Sequence, residues 1–435
     1  MHPTSPSRRG PGRVRLFAAL ALAAASHAPA AAPVAAVQAA AQREKAPLLT
    51  TLRELVEIES GSTDLAGLAQ AATYIADRLR ALGGEVRKVN VDAGRYQMED
   101  TPEKLGEAVQ ATFTGTGQAK ILLLAHMDTV YPRGTIAKQP WRIDGNRAYG
   151  VGIADDKHGV AVILHTVAIL RSLDLRSYGT LTVLINGDEE ISSPGSRALL
   201  TRLGREHDAV MSFESSFTNA DNLALATSGI ASVTLTVQGR GSHAGGAPER
   251  GVNALVELSH QILQTRDLSE PAVGLKLNWT LAKAGVTRNM IPPEASAVAD
   301  VRVLRVSDYD RIEQKLRSIT QKKLLPESQV KVHFERRRPP LEATAASRAF
   351  ARHAQLIYRE LGRDLQVFEV ASGGGTDAAF AALEAKGPVI ERFGLQAFGA
   401  HSTNDEYVLI DSIEPRLYLA TRAIMDLAAG KVPRE

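Results

Sequence analysis

The sequence of 435 residues contains no cysteine. This absence excludes disulfide bonds, zinc sites built from thiolates and a cysteine nucleophile. No internal repeat is visible either. Hydrophobic residues make up 44% of the chain and charged residues 23%, which excludes a disordered or fibrous protein. At about 150 residues per domain, the length indicates two or three domains, or one large enzyme with an insertion.

The chain lacks an excess of charge once its first segment is set aside. Lys and Arg total 51 and Asp and Glu total 48, which gives a net charge of +3. Four of the bases lie within the first 32 residues, which contain no acid, so the remainder holds 47 bases and 48 acids. This balance gives no indication of a nucleic-acid partner. The four early bases are Arg8, Arg9, Arg13 and Arg15.

Residues 1–32 have the pattern of a secretory signal peptide. The early arginines are followed by an apolar stretch at residues 16–25 and then by small residues, with cleavage sites ending at Ala28, Ala30 or Ala32. This stretch is shorter than the roughly 20 residues that cross a membrane, and no later segment is apolar for long enough. We therefore predict a periplasmic or secreted protein with no membrane span after signal removal. An uncleaved tail rich in alanine and proline is the alternative.

Short apolar runs alternate with helical patterns from Lys120 onward. Residues 121–124, 181–185 and 209–213 are typical of buried strands, and residues 159–173 predict a helix. Near-continuous apolar strands separated by helices indicate an α/β fold with a mostly parallel sheet and helices on both faces. The pattern resumes late in the chain, with predicted helices at residues 345–361 and 413–428 and a strand at residues 367–370.

A different pattern follows Ser228. Alternating runs at residues 232–237, 275–283, 295–304 and 329–334 predict strands, and residues 252–268 and 309–324 predict helices. The order β-α-β-β-α-β is that of the ferredoxin-like unit. We therefore predict a catalytic domain, interrupted by an inserted ferredoxin-like domain. The boundaries are residues 40–227 and 339–435 for the first and 228–338 for the second.

Acids and histidines follow the predicted strands, where open α/β sheets bind their ligands. Clustered carboxylates with two histidines suit one or two divalent cations, zinc before manganese or cobalt. Each residue alone has an ordinary explanation, because an acid at a helix start is usually a cap. Five such sites in one chain nevertheless indicate a metal centre. They are His126 with Asp128, Asp155 with Asp156, Glu189 with Glu190, Glu214, and His401.

These segments resemble the M20 family of co-catalytic zinc peptidases. The resemblance runs from about residue 46 to about residue 430. Within the family it is greatest to the glutamate carboxypeptidases, which release C-terminal glutamate from folates. The segments that carry it are Ala-His-Met-Asp-Thr-Val at 125–130, Gly-Ile-Ala-Asp-Asp-Lys at 152–157, Asp-Glu-Glu at 188–190, Ser-His-Ala-Gly at 242–245 and Gly-Gly-Gly-Thr-Asp at 373–377.

The resemblance implies two Zn²⁺ ions per subunit, with Asp155 as the bridging ligand. His126 and Glu214 would complete one site, and Glu190 and His401 would complete the other. Two dications against three carboxylates would leave a local positive charge, which favours ionisation of water and stabilises a developing oxyanion.

Two neighbouring residues would serve the same centre by resemblance. Glu189 would be the general base, which takes a proton from water and delivers it to the leaving nitrogen. Asp128 would accept the free ring N–H of His126 and so fix the orientation of that ligand, as metal-bound histidines usually require.

The resemblance also implies substrate contacts outside the metal motifs. His243 would polarise the scissile carbonyl across a dimer interface, so that the inserted domain is both lid and dimerisation surface of a homodimer. Arg302 would bind the terminal carboxylate of the substrate, and Asn289 would be a polar substrate contact. Without the resemblance, His243 is a loop histidine and Arg302 a solvated charge. Gly374 lies in a glycine run that lacks the lysine of a phosphate-binding loop, so we predict that backbone amides here bind a substrate carboxylate.

The chain departs from the family pattern in two places. His158 stands where the family often has glycine, and the loop at residues 218–222 has no basic residue for the side-chain carboxylate of glutamate. Arg240, Arg250 and Arg288 are the candidates for such a cation elsewhere in the chain. A further histidine, His165, lies inside a helical pattern and is expected to be an ordinary buried residue.

The sequence thus predicts an exported dizinc carboxypeptidase that acts on an N-acyl amino acid, with glutamate as the favoured leaving residue. Within the same family, the alternative is an N-acyl-amino-acid deacylase or dipeptidase with another leaving residue. The non-enzyme alternative is an exported solute-binding protein, which would need no clustered ligands. A serine hydrolase is disfavoured because no Gly-x-Ser-x-Gly segment is present.

Overall fold

The computed structural model describes residues 31–402 and 406–433. The predicted signal peptide, residues 1–32, lies almost entirely outside the described residues. The helices are α1 (Ala35–Val56), α2 (Leu65–Ala81), α3 (His158–Ser172), α4 (Arg197–Glu206), α5 (Ala254–Thr265), α6 (Ser307–Thr320), α7 (Ala345–Glu360), α8 (Ala378–Ala382) and α9 (Ile413–Ala428). Among the described helices, none combines the length and the apolar character needed to cross a membrane.

The strands fall into four sheets and are numbered in chain order. They are β1 (Glu85–Val89), β2 (Ala108–Thr114), β3 (Lys120–His126), β4 (Arg142–Asp144), β5 (Arg147–Tyr149), β6 (Thr180–Asn186), β7 (Ala209–Ser212), β8 (Ser216–Phe217), β9 (Asn222–Ala224), β10 (Gly229–Gln238), β11 (Lys276–Ala284), β12 (Glu294–Val303), β13 (Gln329–Arg338), β14 (Gln366–Phe368), β15 (Val389–Ile390), β16 (Gln396–Phe398) and β17 (Tyr407–Leu409).

The central sheet has six strands in the order β1-β2-β6-β3-β7-β15. Strands β6, β3, β7 and β15 run parallel, whereas β2 and β1 extend one edge through antiparallel pairings of β2 with β6 and of β1 with β2. The predicted parallel arrangement is thus found in the centre of a mixed sheet. Strand β3 is buried from Ile121 to His126, as expected for a strand that is covered on both faces.

Helices cover both faces of this sheet. Ile121 and Leu123 of β3 belong to a hydrophobic cluster with α1, α2, α3, α7 and α9. Leu122 and Leu124 belong to a second cluster with α4 and α8. Because successive side chains of a strand point to opposite faces, the two clusters lie on opposite sides of the sheet. The α/β fold with helices on both faces is confirmed.

A separate antiparallel sheet lies between Gly229 and Arg338, in the order β11-β12-β10-β13. Helix α5 follows β10 and α6 follows β12, so the elements have the predicted order β-α-β-β-α-β. Two hydrophobic clusters are built from this segment alone, and a core of its own is what a domain requires. The exact division of the chain at residues 228 and 338 stays a prediction.

Two smaller sheets connect the segments around the carboxyl ends of the central strands. One has the order β4-β5-β17-β16-β8 and the other pairs β14 with β9. Glu214 lies two residues before β8 in the chain, and His401 lies three residues after β16. The five-stranded sheet β4-β5-β17-β16-β8 therefore lies next in the chain to two of the predicted metal ligands.

Candidate metal centre

The residues predicted as metal ligands lie at one edge of the central sheet. His126 is the last residue of β3, and Glu190 and Glu214 follow β6 and β7. These strands are parallel neighbours of β3, so their carboxyl ends meet at the same edge. The topology therefore brings together residues that are far apart in the sequence.

Five side chains form two groups that share Asp155. Nε2 of His126 lies 2.9 Å from Oδ1 of Asp155 and 3.8 Å from Oε1 of Glu214. Nε2 of His401 lies 3.2 Å from Oδ2 of Asp155 and 3.1 Å from Oε2 of Glu190. Within each group, the atoms that could bind a cation all lie within 4.8 Å of one another. These are the five residues that the sequence analysis assigned as ligands.

The carboxylates of the two groups are crowded and largely removed from water. Burial raises the pKa of Glu190 to about 7, and the charge of Asp155 adds to the effect. Burial also raises the pKa of Glu214 well above its usual range. Burial would raise the pKa of Asp155 too, but hydrogen bonds from His126 and His401 outweigh it and lower the pKa. A divalent cation would relieve this repulsion, and oxygen and nitrogen donors suit zinc. The donor set therefore fits a zinc ion in each group.

Asp128 lies buried behind the first group. Its Oδ1 lies 3.3 Å from Nδ1 of His126, and its backbone oxygen lies 3.1 Å from the same ring nitrogen. This position suits the predicted role of orienting His126. The Asp128 carboxylate also accepts hydrogen bonds from the backbone N–H groups of Glu189 and Glu190, each at 3.1 Å. One carboxylate thus contacts a predicted ligand and the backbone of both glutamates.

Glu189, the predicted general base, faces the same centre and forms an ion pair that the sequence did not reveal. Its Oε1 lies 2.9 Å from Nη1 of Arg338, which also lies 2.7 Å from Oδ1 of Asp377. Nη2 of Arg338 donates to the backbone oxygen of Glu189 at 2.6 Å. Burial raises the pKa of Glu189 well above its usual range, although Arg338 and His126 act in the opposite direction.

A β-bulge explains why Arg338 was missed. In the sequence it ends a run of three arginines, which is typical of a solvated surface. In the structure, Ala231 pairs with Arg336 and the adjacent Ile230 pairs with Arg338, so Arg337 is an extra residue in β13. Arg338 is consequently 3% exposed. No pattern of alternation in the sequence predicts this bulge.

We expect Arg338→Met to lower the free energy of unfolding by about 3–5 kcal/mol, because Glu189 and Asp377 would lose a buried counter-charge. Urea unfolding of the metal-free protein, followed by circular dichroism, measures this difference. Arg336→Met is the matched control, since Arg336 is 42% exposed where it pairs with Asp310. Arg336→Met should lower the free energy of unfolding by no more than about 1 kcal/mol. If both substitutions lower the free energy of unfolding by the same small amount, the buried ion pair does not stabilise the protein more than the exposed one.

A cavity of about 490 Å³ opens beside the two groups. Four of the predicted ligands line it, and so do the predicted base Glu189 and the predicted substrate contacts Arg302 and Gly374. The four ligands are Asp155, Glu190, Glu214 and His401. The cavity therefore joins the predicted metal centre to part of the predicted substrate site.

Arg302 is already engaged in this cavity. Its Nε and Nη2 donate to the carboxylate of Asp300 at 2.9 Å, and its Nη1 donates to the backbone oxygen of Gly373 at 3.0 Å. Asp300 lies two positions away on β12 and therefore on the same face of the strand. Gly374, next to Gly373, accepts a hydrogen bond from the backbone N–H of Ser228 at 2.8 Å.

Two other predicted residues lie away from the cavity. The exposed His243 is held by its own loop, because its Nδ1 accepts hydrogen bonds from Gly245 and Gly246 at 3.1 and 2.9 Å. Asn289 is also exposed, and its backbone oxygen accepts from Ala244. Neither residue lines the cavity described above. Within one chain, the structure does not bring His243 and Asn289 to the predicted metal centre.

The structure adds a buried acid that sequence reasoning missed. Glu391, after β15, lines the cavity and accepts hydrogen bonds from the hydroxyls of Thr376 and Ser212. Burial raises its pKa to about 7, although both hydroxyls act in the opposite direction. The residue follows a two-residue strand, which was too short to be recognised in the sequence.

The remaining histidines and arginines named in the sequence analysis do not line the cavity. His165 is confirmed as a hydrogen-bonded core residue, with Thr51 at 2.9 Å from Nε2 and Glu44 at 2.5 Å from Nδ1. His158 is buried with its Nδ1 2.9 Å from Oδ1 of Asp156. Of the three arginines considered as a second cation, none lines the cavity. They are Arg240, Arg250 and Arg288.

Similarity to known proteins extends over most of the chain. Residues 122–426 match a family model described as Peptidase family M20/M25/M40. Carboxypeptidase G2 of Pseudomonas sp. (strain RS-16) is 46% identical over 392 residues, which cover 90% of this chain and 92% of that protein. N-acetyl-L-citrulline deacetylase of Xanthomonas campestris is 28% identical over 47% of this chain and 56% of that protein. The crystal structure of aminopeptidase PepT from Bacillus cereus has a TM-score of 0.72 at 21% identity, covering 88% of this chain and 99% of that one.

Proposed function

Because the chain belongs to peptidase family M20/M25/M40, we propose that it is an exported dizinc carboxypeptidase that releases C-terminal glutamate from N-acyl glutamates such as folates. Its assignment as a metal-dependent carboxypeptidase rests on the family match and on 46% identity to Carboxypeptidase G2. The non-enzyme alternative, a solute-binding protein, is wrong, because the chain belongs to a family of hydrolases.

One observation carries the proposed chemistry. Asp155 is shared by the two groups of possible ligands, and Glu189 lines the same cavity without belonging to either group. A carboxylate common to two groups of ligands, beside a buried carboxylate that belongs to neither group, supplies both parts that a co-catalytic hydrolase needs. The first part holds the metal ions, and the second is available for proton transfer.

In the proposed reaction, water adds to the scissile carbonyl carbon, and the bond from this carbon to the leaving nitrogen breaks. Zinc ions held by the five ligands would act as Lewis acids toward the carbonyl and favour ionisation of the water. The Glu189 carboxylate takes the proton from the water and delivers it to the leaving nitrogen, which departs as an amine. Arg338, 2.9 Å from Oε1 of Glu189, keeps this carboxylate in position between transfers.

The terminal carboxylate of the substrate would bind in the same cavity. Arg302 and Gly374 both line this cavity. Arg302 would exchange part of its contact with Asp300 for the substrate, since a guanidinium group can bind a carboxylate with two parallel hydrogen bonds. Burial raises the strength of such charge-assisted contacts.

A second copy of the chain would complete the site. The imidazole of His243 is exposed and does not line the cavity of its own chain, which suits a residue that acts on the carbonyl oxygen in another subunit. The surface of the inserted segment carries exposed apolar side chains, which suit a homodimer interface. They include Leu263, Leu281 and Met290. Asn289 is adjacent to Met290, and it would contact the substrate from the same subunit that supplies His243.

A second candidate is an N-acyl-amino-acid deacylase. It is favoured by the partial similarity to N-acetyl-L-citrulline deacetylase, which is 28% identical over 215 residues. A dipeptidase with another leaving residue belongs to the same class of alternatives. These activities share the proposed metal centre and proton transfer and differ only in the groups that flank the scissile bond.

The proposed function predicts that purified protein without residues 1–32 releases free glutamate from folate. Release should stop when a chelator removes the metal and return when zinc is added, because the ligands would then lack or regain their cations. The assay measures glutamate together with the zinc content of the protein. N-acetyl-citrulline and a dipeptide without a C-terminal glutamate serve as comparison substrates.

Two results would count against parts of this proposal. If the protein binds two zinc ions but releases no glutamate, the proposed metal-dependent hydrolase is supported, and glutamate is not the leaving residue. Glutamate release that persists in a zinc-free, chelator-treated sample would contradict the metal centre itself.

A further inference from the structure

Three arginines line the cavity, and their charges are balanced to different degrees. Arg338 pairs with Glu189 and Asp377, and Arg302 pairs with Asp300. Arg392 differs from both. Within residues 31–402 and 406–433 it forms no ion pair, and its side-chain partners are neutral.

The surroundings of Arg392 favour the binding of an anion. Its Nη1 donates to Oδ1 of Asn222 at 3.1 Å, and its Nη2 donates to Oγ of Ser372 at 3.2 Å. Burial lowers the pKa of Arg392, although the acids Glu391 and Glu214 act in the opposite direction. A half-buried guanidinium with neutral partners gains strongly from a carboxylate, because charge-assisted hydrogen bonds replace weaker contacts.

The fold fixes the direction of this side chain. Arg392 has a φ of 75°, in the left-handed region that residues with a side chain rarely adopt. Its backbone N–H donates to Oε2 of Glu391 at 3.0 Å, and its carbonyl oxygen accepts from Arg416 at 2.9 Å. The guanidinium carbon lies 4.2 Å from the centre of the Phe217 ring, which also lines the cavity. The cation is therefore positioned before any ligand binds.

Arg392 and Arg302 are held by neighbouring residues. The side chain of Ser372 accepts from Arg392, and the backbone oxygen of the next residue, Gly373, accepts from Arg302. Consecutive Cα atoms lie about 3.8 Å apart, so both arginines are anchored to one short stretch of chain. Two cations in this arrangement suit a ligand with two carboxylates on a short carbon chain.

We propose that Arg392 binds the side-chain carboxylate of the C-terminal residue of the substrate, while Arg302 binds its terminal carboxylate. This inference rests on the proposed function and extends it to the residue that selects glutamate. It also supplies the cation that the loop at residues 218–222 lacks. Asn222, the last residue of that loop, accepts a hydrogen bond from Arg392.

The test compares two substrates that differ in one charge. Pteroyl-glutamate and pteroyl-glutamine have nearly the same shape, but the second has a neutral side-chain amide. We expect Arg392→Gln to reduce kcat/KM for the glutamate substrate about 10–100-fold, mainly through KM, because a charge-assisted contact is lost. The value for the glutamine substrate should change less than about threefold. Arg392→Lys should recover part of the preference, and Arg352→Gln, at an exposed arginine on α7, is the matched control.

The ratio of kcat/KM for the glutamate substrate to kcat/KM for the glutamine substrate tests the inference. A role in folding or in balancing Glu214 would lower both activities equally, and an equal loss would overturn the proposal. An unchanged ratio in Arg392→Gln would overturn it as well.

A titration calorimetry experiment separates this inference from the proposed function. Zinc-loaded wild-type protein and Arg392→Gln are each titrated with free glutamate and with glutamine. If wild-type protein cleaves neither pteroyl substrate, the proposed function fails, but weaker glutamate binding in the variant would still support the role of Arg392. Equal glutamate binding by both proteins would overturn that role.

Discussion

Glu189→Gln is expected to retain both zinc ions while turnover falls by about 10²–10⁴-fold, the typical contribution of a general base. Glu189 belongs to neither group of ligand atoms, so the loss of its charge leaves the ligands intact. Glutamine has nearly the same shape but cannot take a proton from water. The measurement pairs kcat on folate with zinc content determined by atomic absorption.

An exposed glutamate provides the control for this variant. Glu107→Gln makes the same chemical change away from the cavity and should leave both turnover and zinc content unchanged. If Glu189→Gln keeps wild-type turnover, Glu189 is not the general base. If it loses zinc, the residue acts through the metal centre instead.

Asp155→Asn should affect both ions at once, because Asp155 is the residue common to the two groups. We expect the zinc content to fall from about two ions per chain to fewer than one, since each group loses its shared anionic donor. Turnover should fall by more than about a thousandfold, since Lewis acid catalysis contributes several kcal/mol and each 1.36 kcal/mol is tenfold.

Comparison variants make the shared role specific. His401→Ala removes a ligand from one group only and should leave about one ion bound. Asp144→Asn, at an exposed position on β4, should retain both ions and full turnover. Zinc content near two in Asp155→Asn would contradict a bridging role for this carboxylate.

The sequence predicted the parts of the fold and site that follow simple periodic rules. Buried strands such as β3 are visible as apolar runs, and parallel strands place their ends at one edge. His126, Glu190 and Glu214 could therefore be assigned to one site before any geometry was known. The inserted sheet was predicted for a similar reason, because the alternation along β10 is regular.

The residues that escaped prediction depend on local irregularities. Arg338 faces inward because Arg337 is an extra residue in its strand. Arg392 faces the cavity because its backbone adopts a left-handed turn. Neither irregularity leaves a periodic trace in the sequence. His243 is a different case, because its proposed partner atoms belong to a second copy of the chain and no single chain can test them.

Arg338 is both the last residue of β13 and the ionic partner of Glu189. The inserted segment therefore contacts the main body at Glu189, the proposed general base. If the inserted segment rotates as a rigid body when substrate enters, Arg338 lies near the axis of rotation and moves little. The loop between β11 and β12, which contains Val286, then moves much farther. The inserted segment could then open the cavity to substrate without changing the position of Glu189, so opening would not disturb the geometry of proton transfer.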